Sequence, residues 1–118
     1  MKRIEYIALG QNQKITNSHM PRNISSLLKP KEVRTLLQEF GIKWDPSKVG
    51  KKGWVVIKSP FREDKKPSFS VNINHGSFCD FGTNIKGDIQ KLTSIALNRP
   101  EIDALDYIDR KFNIKFYR

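Results

Sequence analysis

Residues 58–82 read KSPFREDKKPSFSVNINHGSFCDFG. Two prolines, Pro60 and Pro67, bound a charged loop, SPFREDKKP. SFSVNI then alternates, with Phe69 and Val71 on one side and Ser68 and Ser70 on the other, which is the period of a half-buried strand. Asn74 to Gly76 suits a tight hairpin turn, and SFCDF is the returning strand. Just upstream, WVVIKS is β-branched and adds a third strand. The segment therefore predicts a three-stranded antiparallel unit.

Helices are expected on both sides of it. In KPKEVRTLLQEFGIKW, Val33, Leu36, Leu37 and Phe40 recur at helical spacing, Pro30 stands at the start and Gly41 at the stop. Gly82 to Gly87 reads as a second turn-rich loop. GDIQKLTSIALN follows as a helix with Ile89, Leu92, Ile95 and Ala96 inward. RPEIDALDYIDRKFNI is another, with Ile102, Leu105, Ile108 and Phe112 inward. The expected class is α+β: a small antiparallel sheet flanked by one N-terminal and two C-terminal helices. Residues 1–29 divide off as an N-terminal strand or arm, with IEYIAL a possible short strand, His19 a solvated histidine and an Asn- and Ser-rich loop between. Residues 30–118 form the module.

Composition narrows the chemistry. The chain has 118 residues, room for one small domain. No apolar run reaches the ~20 residues that span a bilayer, and the start is too polar for a signal peptide, so a cytoplasmic location is expected. The single cysteine, Cys79, excludes an intrachain disulfide and any multi-cysteine zinc site. No nucleophile–base pair and no Walker loop is present. Asp103, Asp106 and Asp109 read as the solvated border of a helix rather than a magnesium site. His75, Cys79 and Asp80 make at most a loose metal site. No cofactor and no catalytic residue is expected.

The net charge is +10. Lys51, Lys52, Lys58, Arg62, Lys65 and Lys66 crowd one segment opposed only by Glu63 and Asp64, whereas the charges beyond Asp88 nearly balance. Such a segment suits a polyanion, and nucleic acid is the common one. Single-strand binders add aromatic platforms to a cationic track. Lys51, Lys52, Lys58, Arg62, Lys65, Lys66 and Lys86 supply the track here. Trp54, Phe69 and Phe78 are platforms if they point outward. Phe69 reads better as core, as do Phe61 and Phe81, and Trp54 fits either role.

These motifs resemble the N-terminal zinc-binding domain of bacterial-type DNA primases. That pattern runs Cys-Pro-Phe-His, a charged stretch, Pro-Ser-Phe-x-Val, a hairpin, then Cys-x-x-Cys-Gly and a Gly-Asp that opens a helix. Pro60, Phe61, Lys65, Pro67, Ser68, Phe69, Ser70 and Val71 match its first half, and Phe81, Gly82, Gly87, Asp88 and Ile89 its second. The likeness spans roughly residue 31 to the C-terminus. The four ligand positions hold Ser59, Arg62, Asp80 and Thr83, so the resemblance is to a zinc-free, zinc-ribbon-like form, of the kind found in plasmid, phage and other mobile-element proteins. Hydrogen bonds among those four side chains, with Arg62 paired to Asp80, are the expected substitute for the metal. The resemblance implies a non-catalytic accessory module that contacts single-stranded template. A separately encoded DNA polymerase or primase, with a helicase as a further possible partner, would then make the primer. The alternative is a protein-interaction subunit that docks a polymerase or helicase and has little DNA affinity of its own.

Overall fold

The computed structural model describes residues 24–115. IEYIAL and His19 lie outside the described residues. Helix α1 (Pro30–Glu39) is followed by strands β1 (Trp54–Ile57), β2 (Phe69–Asn72), β3 (Phe78–Asp80) and β4 (Ile85–Gly87), then α2 (Ile89–Leu97) and α3 (Glu101–Phe112). The strands form one antiparallel sheet in the order β1-β2-β3-β4. The class is the α+β one expected, with one correction. The segment read as a turn-rich loop contains a fourth strand. β4 is three residues long and carries no apolar alternation, so its sequence gives no strand signal.

Each helix stops for the same reason. A residue with positive φ follows its last turn: Gly41 (+82°), Asn98 (+55°) and Asn113 (+53°). The next amide then folds back onto a carbonyl five residues earlier, Ile42 to Leu37, Arg99 to Ser94 and Ile114 to Asp109. Ile42 and Leu37 are both buried, so the first of these stops is also pinned by apolar contact. At the starts, Glu32 accepts from the Lys29 amide at 2.8 Å and Asp88 from the Lys91 amide at 3.1 Å.

The helices cover one face of the sheet. Val55, Phe69, Val71 and Phe78 point inward and join Val33, Leu36, Leu37, Ile89, Leu92 and Ile108 in a continuous core. Ile24 and Leu28 are buried in it too, so the packed unit includes residues that the sequence pattern assigns to the arm. The stripe on α3 is turned from the one expected: Ala104, Leu105 and Ile108 are buried, while Ile102 in the first turn is 59% exposed. On α2, Thr93 and Ser94 are buried and Ile95 and Ala96 only half-buried. Thr93 donates to the Ile89 carbonyl and Ser94 to that of Lys91, which satisfies both hydroxyls within the helix. Phe61 (37% exposed) and Phe81 (66%) are not core residues, because both sit on loops beyond the sheet's end. No described helix is long and apolar enough to cross a membrane.

Both hairpins within β2–β4 turn on a buried Asn or Asp. The Asn72 side chain accepts from the amides of Asn74 (2.9 Å) and His75 (3.2 Å), and its carbonyl accepts from Gly76 (2.8 Å). The Asp80 side chain accepts from Gly82 (2.9 Å) and Thr83 (3.3 Å), and its carbonyl from Asn84 (2.7 Å). The fifth residue has positive φ in each, +84° at Gly76 and +64° at Asn84. The two loops are the same device used twice. Gly76 has a second constraint, since a Cβ there would stand 2.6 Å from Ile89 Cβ at the start of α2. Gly41 has a similar φ but nothing within 4 Å of a Cβ. Gly76→Ala is therefore expected to cost about 2–4 kcal/mol, strain plus overpacking. Gly41→Ala should cost about 1–2 kcal/mol from strain alone. Denaturant unfolding of the two variants measures the difference, and equal losses would show that the Ile89 contact relaxes freely.

Candidate nucleic-acid interface and its cross-linked loop

Of the four ligand-like positions, only Arg62 and Asp80 bond to each other through their side chains; Thr83 joins by its backbone amide, and Ser59 is bonded to Asp64 and Phe61 instead. Arg62 reaches from the 58–68 loop to Asp80 at the end of β3, with Nε donating to Oδ2 at 3.2 Å and Nη2 to Oδ1 at 2.5 Å. The pair is bidentate. Nη2 also donates to Ser68 Oγ at 2.8 Å, and Nη1 lies 3.5 Å from Asp64 Oδ1. Asp64 in turn accepts from the Ser59 amide at 2.9 Å and from Ser68 Oγ at 2.8 Å. Ser59 Oγ accepts from the Phe61 amide at 3.2 Å. The Thr83 amide joins through Asp80. Arg62 thus ties three stretches of chain: its own loop, the start of β2 and the β3–β4 turn.

Asp64, Ser68 and Gly82 belong to this network; the sequence marks Ser68 and Gly82 as motif matches but gives none of the three a place in it. Asp64 registers there only as a charge opposing the lysines. A Cβ on Gly82 would run into the Arg62 guanidinium, so glycine is required by the arginine that crosses it. Only the fold shows that crossing.

The network does not fit a zinc ion. Both Asp80 oxygens and the Asp64 carboxylate are taken up by N–H and O–H donors, and the centre of the group is a guanidinium, itself a cation. Among the described residues no three His, Cys, Asp or Glu side chains gather as metal ligands. Cys79 and Asp80 are neighbours on a strand and point to opposite faces, which takes apart the loose His75–Cys79–Asp80 site. His75 instead meets Trp54 edge-on, ring centres 6.0 Å apart.

Among the described residues, no element covers the other face of the sheet. Its middle row pairs Val56 with Ser70, Ser70 with Cys79 and Cys79 with Lys86. Trp54 stands on the same side of β1 as Val56 and is 39% exposed. Phe69 and Phe78 are buried against the helices, their rings stacked at 5.7 Å, so they are not platforms. Lys51, Lys52, Lys58, Lys65, Lys66 and Lys86 are all exposed, and none forms an ion pair among the described residues. Lys51 and Lys52 precede β1 at the Asn72 hairpin, and Asn72 Nδ2 holds the Lys52 carbonyl at 2.9 Å. Lys58, Lys65 and Lys66 lie at the opposite end of the sheet. Arg62 stands apart from this set, because its guanidinium is already committed to carboxylates.

No protein-family model, curated protein or solved structure matches this chain.

The Arg62 bonds hold the Asp80 carboxyl below the usual carboxylate range, helped by the Gly82 and Thr83 amides. The Ser59 amide, the Ser68 hydroxyl and Arg62 do the same for Asp64. A carboxylate whose folded pKa is depressed adds stability above its unfolded pKa, about 3.9. That stability is lost as pH falls through the lower, folded value. The melting temperature is therefore expected to decline below about pH 4, and less steeply in Asp80→Asn. Asp80→Ala should cost on the order of 3 kcal/mol at neutral pH, since it strands a guanidinium and two amides. A chelator should leave the melting temperature unchanged. Thermal scans across pH, with and without chelator, check all three, and loss of structure on chelation would refute the guanidinium-centred description.

Proposed function

We propose that this protein is a non-catalytic single-strand DNA-binding module that assists a separate polymerase or primase in starting a primer. The observation that carries the reading is the uncovered sheet face: a half-exposed Trp54, a row of small side chains, and unpaired lysines at both ends and on β4. Phosphates of a single strand would follow the lysines, and a base would stack on Trp54. Ser70 and Cys79 are short enough to let a backbone lie close to the sheet. The resemblance of PFREDKKPSFSV and the Gly-Asp exit to primase zinc-binding domains supports the priming role. The mobile-element setting rests on the same resemblance, through its zinc-free ligand positions.

Binding of a labelled oligothymidylate is expected to weaken steeply with salt. Each phosphate contact on a single strand contributes about 0.7 to the log–log slope. Lys65→Ala/Lys66→Ala/Lys86→Ala should flatten that slope by about 2. These lysine side chains are exposed and form no ion pair among the described residues, so the melting temperature should move little. Trp54→Ala should lower affinity by about 1–3 kcal/mol with the slope unchanged, because stacking releases no counterions. Bound oligonucleotide should also slow alkylation of Cys79. An unaltered slope in the triple variant would place the site elsewhere.

On unprimed single-stranded template the chain alone should make no product, and it should raise primer synthesis by a polymerase or primase encoded beside it. Synthesis by the isolated chain, assayed with labelled nucleotides, would overturn the accessory role. Tight DNA binding without any effect on such a partner would leave a plain single-strand binder.

A further inference from the structure

Strand β1 lies at an edge, with only β2 beside it. The Gly53 carbonyl accepts from the Ile73 amide at 2.9 Å and so points toward β2. Backbone groups alternate sides along a strand, so Val55 and Ile57 also face β2, while Trp54 and Val56 face away. The Trp54 carbonyl is taken on that outer side by the Gly50 amide at 2.9 Å. Val56 is next, and no other strand among the described residues lies beside it.

This edge borders a groove. Lys43, Trp44 and Lys48 line it together with Val56 and Lys58. The one carboxylate there, Asp45, is occupied by the amide and hydroxyl of Ser47 at 2.9 and 2.8 Å. Lysines beside an edge repel a basic strand, and that same charge favours an acidic one. Yet the strand itself is apolar toward solvent, with Val56 52% exposed.

We propose that β1 is a docking edge for an extended acidic segment of a partner protein. The segment adds as a fifth strand, with its backbone paired to Val56 and its carboxylates at Lys43, Lys48 and Lys58. A second copy of this edge is equally basic and is disfavoured. Lys58 and Val56 also border the open face proposed for DNA, so Lys43 and Lys48 are the residues that separate this inference from DNA binding.

The test uses the full chain and a fluorescein-labelled peptide alternating Glu and Val, with its Lys-for-Glu counterpart as control. The acidic peptide should bind and the basic one should not. Val56→Pro removes an amide the sheet does not use, as edge positions tolerate. It should weaken the acidic peptide about tenfold and leave the melting temperature unchanged. Lys43→Glu/Lys48→Glu keeps the backbone and spares Lys58, so it decides the matter should Val56→Pro not fold. It should lose the acidic peptide and admit the basic one. Equal binding of both peptides by the wild-type chain would overturn the proposal. So would an acidic peptide that fails to bind while Lys43→Glu/Lys48→Glu weakens oligothymidylate, which would assign the groove to phosphate.

Discussion

Asp80 is a carboxylate at the inner face of a small sheet, where only 6% of the residue meets solvent. A buried charge persists only when its acceptor positions are filled. Here two come from Arg62 and two from the amides of its own turn. Removing Arg62 leaves the carboxylate without its counter-charge, so the 58–68 loop and the β3–β4 hairpin support one another. At the same end of the sheet Phe61 meets Phe69 edge-on, ring centres 5.9 Å apart, and Phe81 is exposed.

The opposite end of the sheet solves a similar problem without charge. Asn72 is fully buried and directs its amide to Lys52 and its oxygen to the hairpin. Asn74 then accepts from Arg34 Nη1 at 3.2 Å, which ties the hairpin to α1. At Asn72 itself a neutral side chain suffices because each of its partners is a neutral backbone group. At Asp80 one partner is a guanidinium, and a carboxylate answers it with two charge-assisted bonds.

These anchors lie within or beside the sheet and leave its outer face free. Three helices on one side bury the apolar residues, and nothing described packs on the other. The result is a surface of short side chains and lysines, with a core stiff enough to present it. A single-layer sheet of this kind also has two edges. β4 is short, and β1 is flanked by charge, so both are protected against indiscriminate pairing.

The sequence by itself determined the helices, three of the strands, the inward Phe69 and Val71, and the concentration of positive charge. Those follow from local period and composition, which need no knowledge of neighbours. The resemblance to primase zinc-binding domains, not local pattern, set Arg62 opposite Asp80. The sequence did not separate Arg62 from the free lysines, because a cation in a string of cations looks the same whether or not a carboxylate waits across the fold. β4 was illegible for a related reason: Ile85–Gly87 is a strand only because the Asp80 turn brings it alongside β3. The same holds for Phe61 and Phe81, whose apolar character suggests a core, yet which the loops carry past the sheet's end. Tertiary structure decided these points, since each depends on a contact between segments that are not adjacent in the chain.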